Sequence, residues 1–192
     1  GTDIGTFGTK SSIVNSEGEV ISESFVETDI IIPRPGWAEQ WPDVWWQAYV
    51  ESVKKALKKG GVDPADIAGV SISGLYTGSG VPVDRDFKPL RPGLIWMDRR
   101  ANEESELIKK TLGEDYVFRK SGNIVDPFYG VTKILWIKRH EPKIWERIHQ
   151  LVTAYGYVVY KLTGEPCIDH SSAGVIGGIY DIHKRDWAED VM

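Results

Sequence analysis

The first ten residues, GTDIGTFGTK, combine residue types that can handle an anion and a metal ion. Gly5 and Gly8 allow the backbone to approach a ligand closely because they carry no Cβ atom. A turn rich in Gly and Thr, with Thr6 at its centre, also exposes N–H and O–H donors that favour anions. Asp3 can hold Mg²⁺, and Lys10 can pair with a phosphate oxygen. The segment fits a turn without function, a nucleotide-phosphate loop, or the corner of a metal-dependent nuclease, but it does not match the Walker pattern.

Composition limits the class of protein. At 192 residues the chain suits one large domain, or a domain and a fraction. Its net charge of −5 argues against a nucleic-acid partner, which needs clustered Lys and Arg. A single cysteine, Cys167, and the absence of an apolar run of ~18 residues predict a cytoplasmic protein with no membrane partner. Because the sequence begins at Gly1 instead of Met, we expect the natural N-terminus to lie upstream.

Regular elements must position these residues. Alternating residues on either side of NSEG predict two strands joined by a turn. Apolar residues at three- and four-residue spacing predict a helix over 42–59, with Pro42 in its first turn and a glycine stop after it. The other predicted elements are a buried strand over 67–73, two strand segments around a polar turn at 84–88, and helices at 101–112, 130–140, 142–148 and 154–162. This order predicts an α/β protein with a mixed sheet.

Several segments carry a resemblance to a known family. The pattern Asp-x-Gly-Thr-x-x-x-Lys from Asp3 to Lys10 resembles the first phosphate motif of the actin-like, hexokinase-like ATPases. Further segments are similar, in the same order, to those of the FGGY carbohydrate kinases: GWAEQWPDVWW, SISG, LRPGLIWMDRRA, SGNIVDPFYGVTKILWIKRHEP, YKLTGE and DIHKRDW. From Ser121 onward the likeness is greatest to xylulokinases. The resemblance implies a ribonuclease H-like (actin-like ATPase) α/β fold, with a mixed sheet flanked by helices.

The resemblance also implies an activity, namely transfer of the γ-phosphoryl group of ATP to a sugar or polyol hydroxyl with Mg²⁺. On this basis Asp3 corresponds to the catalytic, metal-proximal carboxylate. Gly5 and Thr6 correspond to the phosphate-binding turn, and Lys10 to a basic residue that reaches the β- and γ-phosphates. This assignment agrees with the chemistry, because phosphoryl transfer depends mainly on positioning and charge neutralisation.

Sugar-binding residues are implied just after SISG. Xylulokinases have Gln-Met-His-Gly at this point, whereas this chain has Leu75, Tyr76, Thr77 and Gly78. Losing the Gln and His side chains changes the hydrogen-bond donors of the pocket, so we expect an acceptor other than D-xylulose. The remaining positions that match the family's substrate pocket are Asp98 and Arg119.

The family's general base is an Asp in a Gly-Asp segment that would follow Met192. Residues 1–192 are therefore expected to form most of an N-terminal FGGY domain, without the C-terminal ATP-binding domain. We expect this chain by itself to be inactive. The implied partners are a sugar or polyol and ATP, with a homodimer as one expectation for the full-length form.

Two other functions use related features. A ribonuclease H-like nuclease shares the sheet and an early Asp, but it needs more carboxylates around two metals and binds a polyanion. A non-enzymatic sugar sensor on the same fold keeps the sugar pocket without needing Asp3 or Lys10.

Other features have simpler structural interpretations. Asp84 is predicted to stabilise a turn, Asp169 to cap a helix, and the Trp residues of 37–46 to anchor the core.

Overall fold

A computed structural model of the chain describes residues 1–75, 78–189 and 191. The predicted sugar contacts Tyr76 and Thr77 lie outside the described residues. The chain divides into two compact units. The first unit comprises Gly1–Ile30, Trp41–Leu75 and Ala154–Pro166, and the second comprises Ile31–Gln40, Tyr76–Thr153 and Cys167–Met192.

Strands and helices alternate irregularly along the chain. The strands are β1 (Thr2–Ile4), β2 (Gly8–Val14), β3 (Val20–Glu27), β4 (Glu39–Gln40), β5 (Ile72–Gly74), β6 (Val81–Val83), β7 (Gly93–Leu94), β8 (Gln150–Val152), β9 (Tyr180–Asp181) and β10 (Asp186–Trp187). The helices are α1 (Pro42–Gly60), α2 (Asn102–Thr111), α3 (Glu114–Ser121), α4 (Gly130–His140), α5 (Pro142–Trp145), α6 (Ala154–Thr163) and α7 (His170–Ile176). Across the described parts of the chain, no helix combines the length and the apolar character needed to cross a bilayer.

The first unit contains a four-stranded sheet in the order β3-β2-β1-β5. β1 runs antiparallel to β2 and parallel to β5, so the predicted mixed sheet is confirmed. The predicted hairpin around NSEG is also confirmed, since the Asn15 carboxamide oxygen accepts from the Glu17 and Glu19 amides. The strand predicted over 67–73 is confirmed in part, since β5 covers Ile72–Gly74 and is less buried than expected.

Helix α1 packs on one face of this sheet through small hydroxyl side chains. Thr2, Ser11 and Ser52 form a buried chain of hydroxyl–hydroxyl hydrogen bonds of 2.8 and 2.7 Å between sheet and helix. Trp45, fully buried on the same helix, supplies the largest apolar side chain of this unit's core. The helix ends as predicted, with Gly61 in the left-handed conformation.

The second unit is built from short strand pairs and helices. Its strands pair as β4–β7, β6–β8 and β9–β10. The two segments predicted on either side of residues 84–88 also meet across that turn, through an antiparallel bridge between Val83 and Pro89. One apolar cluster joins Leu94, Ala101, Trp136 and Ile137, and another joins Ile108, Val117 and Val125.

The predicted helices agree with the structure where the sequence carries a long apolar period. Helix α4 spans the predicted residues, and the carboxylate of Asp169 accepts from the Ser172 amide at 2.9 Å, which confirms it as the cap of α7. Asp84 likewise accepts from the amides of Asp86 and Lys88, as a turn residue should. Helix α3 was not predicted, α7 was predicted only through its cap at Asp169, and α5 is shorter than expected.

Candidate functional site

The turn between β1 and β2 is the candidate phosphate corner of the first unit. It closes through a hydrogen bond of 2.8 Å from the Gly5 amide to the Gly8 carbonyl. A Cβ atom at Gly5 would lie only 3.0 Å from that carbonyl oxygen, so the tight turn favours glycine. Thr6, at the tip of the turn, is partly exposed. The turn is therefore compact and has a glycine at each end, with the side chains of Thr6 and the exposed Phe7 between them.

Gly8 has a packing role that sequence reasoning missed. The ring of Phe25 on β3 lies over it, so that a Cβ atom at Gly8 would be 2.2 Å from Phe25 Cζ and 2.6 Å from the Val26 carbonyl oxygen. Real Cβ atoms essentially never make contacts this short. Gly8 is required by the neighbouring strand, whether or not a ligand approaches it.

Gly8→Ala is expected to lower the free energy of unfolding by about 1–3 kcal/mol, because the added methyl group overpacks the sheet. Urea unfolding followed by circular dichroism measures this change. Gly69→Ala is the matched control, since no atom lies within 4 Å of a Cβ there, and it should change stability by less than ~0.5 kcal/mol. Equal stability of Gly8→Ala and the unchanged chain would contradict the argument.

Asp3 is exposed on the face of the sheet opposite α1, since Thr2 and Ile4 on either side of it are buried. It lies directly across from Lys10 on β2 and from Ser73 on β5. Within the described part of the chain, its carboxylate has no hydrogen bond or ion pair. The carboxylate is therefore available to a ligand.

The Asp3 carboxylate fits a magnesium–phosphate site. Mg²⁺ in such sites is held by one or two carboxylates together with phosphate oxygens and water. The described residues contain no cluster of three or more His, Cys, Asp or Glu side chains that could hold a metal ion. A metal at Asp3 would therefore depend on phosphate oxygens and water for its other ligands. An accessible carboxylate beside an open backbone turn supplies the protein's share of this donor set.

Lys10 is held by a counter-ion. Its ammonium pairs with Glu23 at 2.8 Å, and both side chains are about half exposed. Glu23 also accepts from the Ser12 hydroxyl at 3.1 Å. The pKa of Glu23 is lowered by the Lys10 hydrogen bond first and by Ser12 second. Because an exposed ion pair is weakened by water, Lys10 can exchange Glu23 for a phosphate oxygen.

In the second unit, Asp98 is fully buried, so the structure does not present it as an open pocket residue. Its carboxylate accepts from the Ala38 amide at 2.7 Å, and from the backbone and guanidinium of Arg100 at 2.7–3.0 Å. A direct hydrogen bond to a sugar would compete with these donors. The geometry favours a role for Asp98 in holding the 36–40 and 98–100 segments together.

A buried ionic cluster surrounds Asp98, and sequence reasoning missed it. Glu39 accepts from Arg91 and from Arg100 at 2.7 Å, and Arg91 also donates to Glu141 at 2.9 Å. The Arg100 guanidinium lies 3.6 Å from the centroid of the Trp37 ring. Burial is the main reason that the pKa of Arg91 is lowered, with Glu141 and Glu39 opposing it. These charges come from the separate motifs GWAEQW, LRPGLIWMDRRA and the end of SGNIVDPFYGVTKILWIKRHEP, and only the fold brings them together.

Arg119 lies exposed on α3, and its own carbonyl accepts from His183 at 3.1 Å. Arg119 and Asp98 were both matched to the substrate pocket, but among the described residues no hydrogen bond or ion pair joins their side chains. The Arg119 guanidinium is accessible to a ligand, and its predicted sugar contact stays a prediction.

Comparison with known proteins agrees with the sequence motifs. A family model described as the N-terminal domain of the FGGY family of carbohydrate kinases matches residues 1–192. The chain therefore belongs to the FGGY family of carbohydrate kinases. Its mixed α/β architecture is that of the ribonuclease H-like, actin-like ATPases.

The individual relatives are named as kinases that act on different substrates. The chain is 33% identical to the xylulose kinase of Staphylococcus xylosus, over 100% of this chain and 39% of that protein. It is 29% identical to the glycerol kinase of Thermococcus gammatolerans, over 99% of this chain and 39% of that protein. The crystal structure of xylulose kinase from Rhodospirillum rubrum matches with a TM-score of 0.91 and 26% identity, covering 99% of this chain and 38% of that one. The chain thus spans about two-fifths of the length of these relatives.

Proposed function

We propose that this chain is the sugar- and phosphate-side part of an ATP-dependent carbohydrate kinase that phosphorylates a hydroxyl group of a ketopentose or pentitol. One observation carries the proposal: the exposed Asp3 carboxylate, which has no partner among the described residues, lies on the strand that leads into the tight Gly5–Gly8 turn in a member of the FGGY family. A phosphate-metal site needs an available carboxylate close to a backbone turn that a phosphate group can approach.

In this proposal Asp3 holds Mg²⁺, and the backbone of Gly5 and Thr6 faces the phosphates of ATP. When bound, Mg²⁺ neutralises the charge on the phosphate oxygens. Lys10 leaves Glu23 and adds a second positive charge. Each of these groups acts by positioning and charge, which is what phosphoryl transfer requires of a protein.

The sugar side of the proposal rests on Tyr76, Thr77 and Arg119. Without the Gln and His of the xylulokinase pattern, the pocket presents a different set of hydrogen-bond donors. Sites that pair with substrate hydroxyl groups discriminate strongly against molecules that leave a donor unpaired. We therefore propose an acceptor other than D-xylulose, and assign Asp98 a positioning role behind the pocket.

The proposal assigns proton transfer and adenosine binding to parts of the kinase other than residues 1–192. The family's general-base Asp and its ATP-binding domain would lie outside residues 1–192. A sugar hydroxyl is a weak nucleophile at neutral pH and needs a carboxylate to accept its proton. The 192-residue chain alone should therefore show no sugar-dependent ADP release.

The test is ADP release by the full-length protein with a panel of ketoses and polyols. We expect sugar-dependent turnover, with a ketopentose or pentitol other than D-xylulose ranking first by kcat/KM. Leu75→Gln/Thr77→His restores the donors of the xylulokinase pattern and should raise kcat/KM for D-xylulose, relative to the preferred acceptor, by about 10-fold.

Two outcomes would count against the proposal. If D-xylulose ranks first in the unchanged protein, the pocket argument is wrong although the kinase assignment stands. If calorimetry detects sugar binding but no acceptor supports ADP release, the protein is a sugar-binding sensor and not a kinase.

A further inference from the structure

A buried lysine of the second unit has no role in the function proposed so far. Lys133, on α4, is fully buried. Its Nζ donates to the carbonyl oxygen of Phe128 at 2.7 Å and to that of Pro127. Both carbonyls belong to the turn that leads into α4. The amine therefore fixes the backbone of residues 126–129 by two hydrogen bonds.

The aliphatic part of the same side chain packs against Gly78. A Cβ atom at Gly78 would lie 2.8 Å from Lys133 Cδ and 2.6 Å from the Leu94 carbonyl oxygen. Gly78 also has a φ of +69°, which other residues rarely adopt. It follows Tyr76 and Thr77, the predicted sugar contacts, directly in the sequence. One side chain thus contacts both the 126–129 turn and the residue next to the predicted sugar contacts.

Burying the charged amine of Lys133 lowers the stability of the fold, which is unusual for a residue with only a structural role. Burial lowers its pKa from an ordinary 10.5 to about 7, with Arg99 and Arg100 also lowering it, and Asp98 and Asp126 raising it. Since the unfolded chain holds the proton more tightly, this lysine costs stability at pH values below 10.5, and the full cost applies below pH 7. Such costs concentrate at functional sites.

We propose that Lys133 is a positioning residue for the sugar pocket, fixing the 126–129 turn and the segment that begins at Gly78. The inference rests on the proposed carbohydrate kinase function. Lys133 touches no reacting atom in this proposal. It acts by keeping two backbone segments in the arrangement that the sugar requires.

The experiment compares Lys133→Met, which keeps the length and apolar character of the side chain but removes its donors, with the unchanged full-length protein. We expect KM for the preferred sugar to rise by about 10- to 100-fold, because small displacements of positioning groups have effects of this size. kcat and the KM for ATP should change by less than about threefold, since the phosphate side is untouched. Lys133→Gln retains two N–H donors on a shorter chain, and should recover part of the loss.

A matched control separates positioning from general destabilisation. Ile108→Ala removes a buried side chain of the same unit, from the apolar cluster with Val117 and Val125, and leaves the Lys133 hydrogen bonds in place, so it should lower the melting temperature without raising the sugar KM. Equal sugar KM values for Lys133→Met and the unchanged protein would overturn the proposal. So would an equal rise in KM for Ile108→Ala.

Hydrogen exchange tests the local role without any activity. In the unchanged chain the amides of Phe128 and Tyr129 bond to Asp126, and that of Ser79 bonds to the Leu94 carbonyl. Lys133→Met should speed exchange at these three amides, whereas Ile108→Ala should not do so selectively. Unchanged exchange would overturn the proposal even in an active kinase. Faster exchange in a protein that phosphorylates no sugar would support the local role of Lys133 and contradict the kinase function.

Discussion

Asp3→Ala in the full-length protein is expected to lower kcat by at least about 10²-fold, because a metal-proximal carboxylate contributes several kcal/mol to charge stabilisation in phosphoryl transfer. The affinity for the sugar should remain nearly unchanged. Folding should also be unaffected, since the Asp3 carboxylate is exposed and bonds to no other described residue. Steady-state ADP release, sugar titration by calorimetry and thermal melting measure the three quantities.

Glu17→Gln provides the matched control for this prediction. Glu17 is an exposed carboxylate in the turn between β2 and β3, at the opposite end of the hairpin from Gly5–Gly8. Removing its charge should leave kcat within about twofold of the unchanged protein. Survival of activity in Asp3→Ala, with an unchanged dependence on Mg²⁺ concentration, would show that Asp3 does not hold the metal.

Trp45→Ala is expected to lower the free energy of unfolding of the chain by about 3–5 kcal/mol. The Trp45 side chain is fully buried on the sheet-facing side of α1, so its removal loses apolar burial and leaves a cavity. Urea unfolding followed by far-ultraviolet circular dichroism gives the change in the midpoint.

Trp46→Ala is the control at the next residue of the same helix. Trp46 is half-buried, stacks on Tyr49 with ring centroids 5.8 Å apart, and lies under the ammonium of Lys161. Because it already faces solvent in part, its removal should cost no more than about 1–2 kcal/mol. Equal destabilisation by the two variants would mean that Trp45 is not the main apolar anchor of this interface.

The sequence alone determined the features that depend on neighbouring residues along the chain. The apolar period of α1 and α4, the turn at Asn15 and the cap at Asp169 are all present where they were predicted. Their hydrogen bonds and exposed faces are set within a few residues, so a single sequence contains the required information. The ordered motifs likewise predict the family, which the match over residues 1–192 confirms.

Only the tertiary structure decided the features that depend on a distant partner. The pairing of β5 is one such feature, because its residues Ile72–Gly74 run parallel to Thr2–Ile4 of β1, which lie about 70 residues earlier in the chain. The hydroxyl-lined contact between α1 and the sheet was not predicted either. Ser11 and Ser52 look like surface residues in the sequence, but they bond to each other across 41 residues.

The charged residues of the second unit show most clearly the difference between what neighbouring residues determine and what distant partners determine. Asp98 matches the family's substrate pocket in the sequence, but its burial and its bonds to the Ala38 amide and Arg100 are visible only in the fold. Lys133 lies in a quoted family motif, yet no role follows for it until the fold encloses it between Gly78 and Phe128. A side chain's type can be read from the sequence, but its burial and its bonding partners cannot, because both depend on residues that only folding brings into contact.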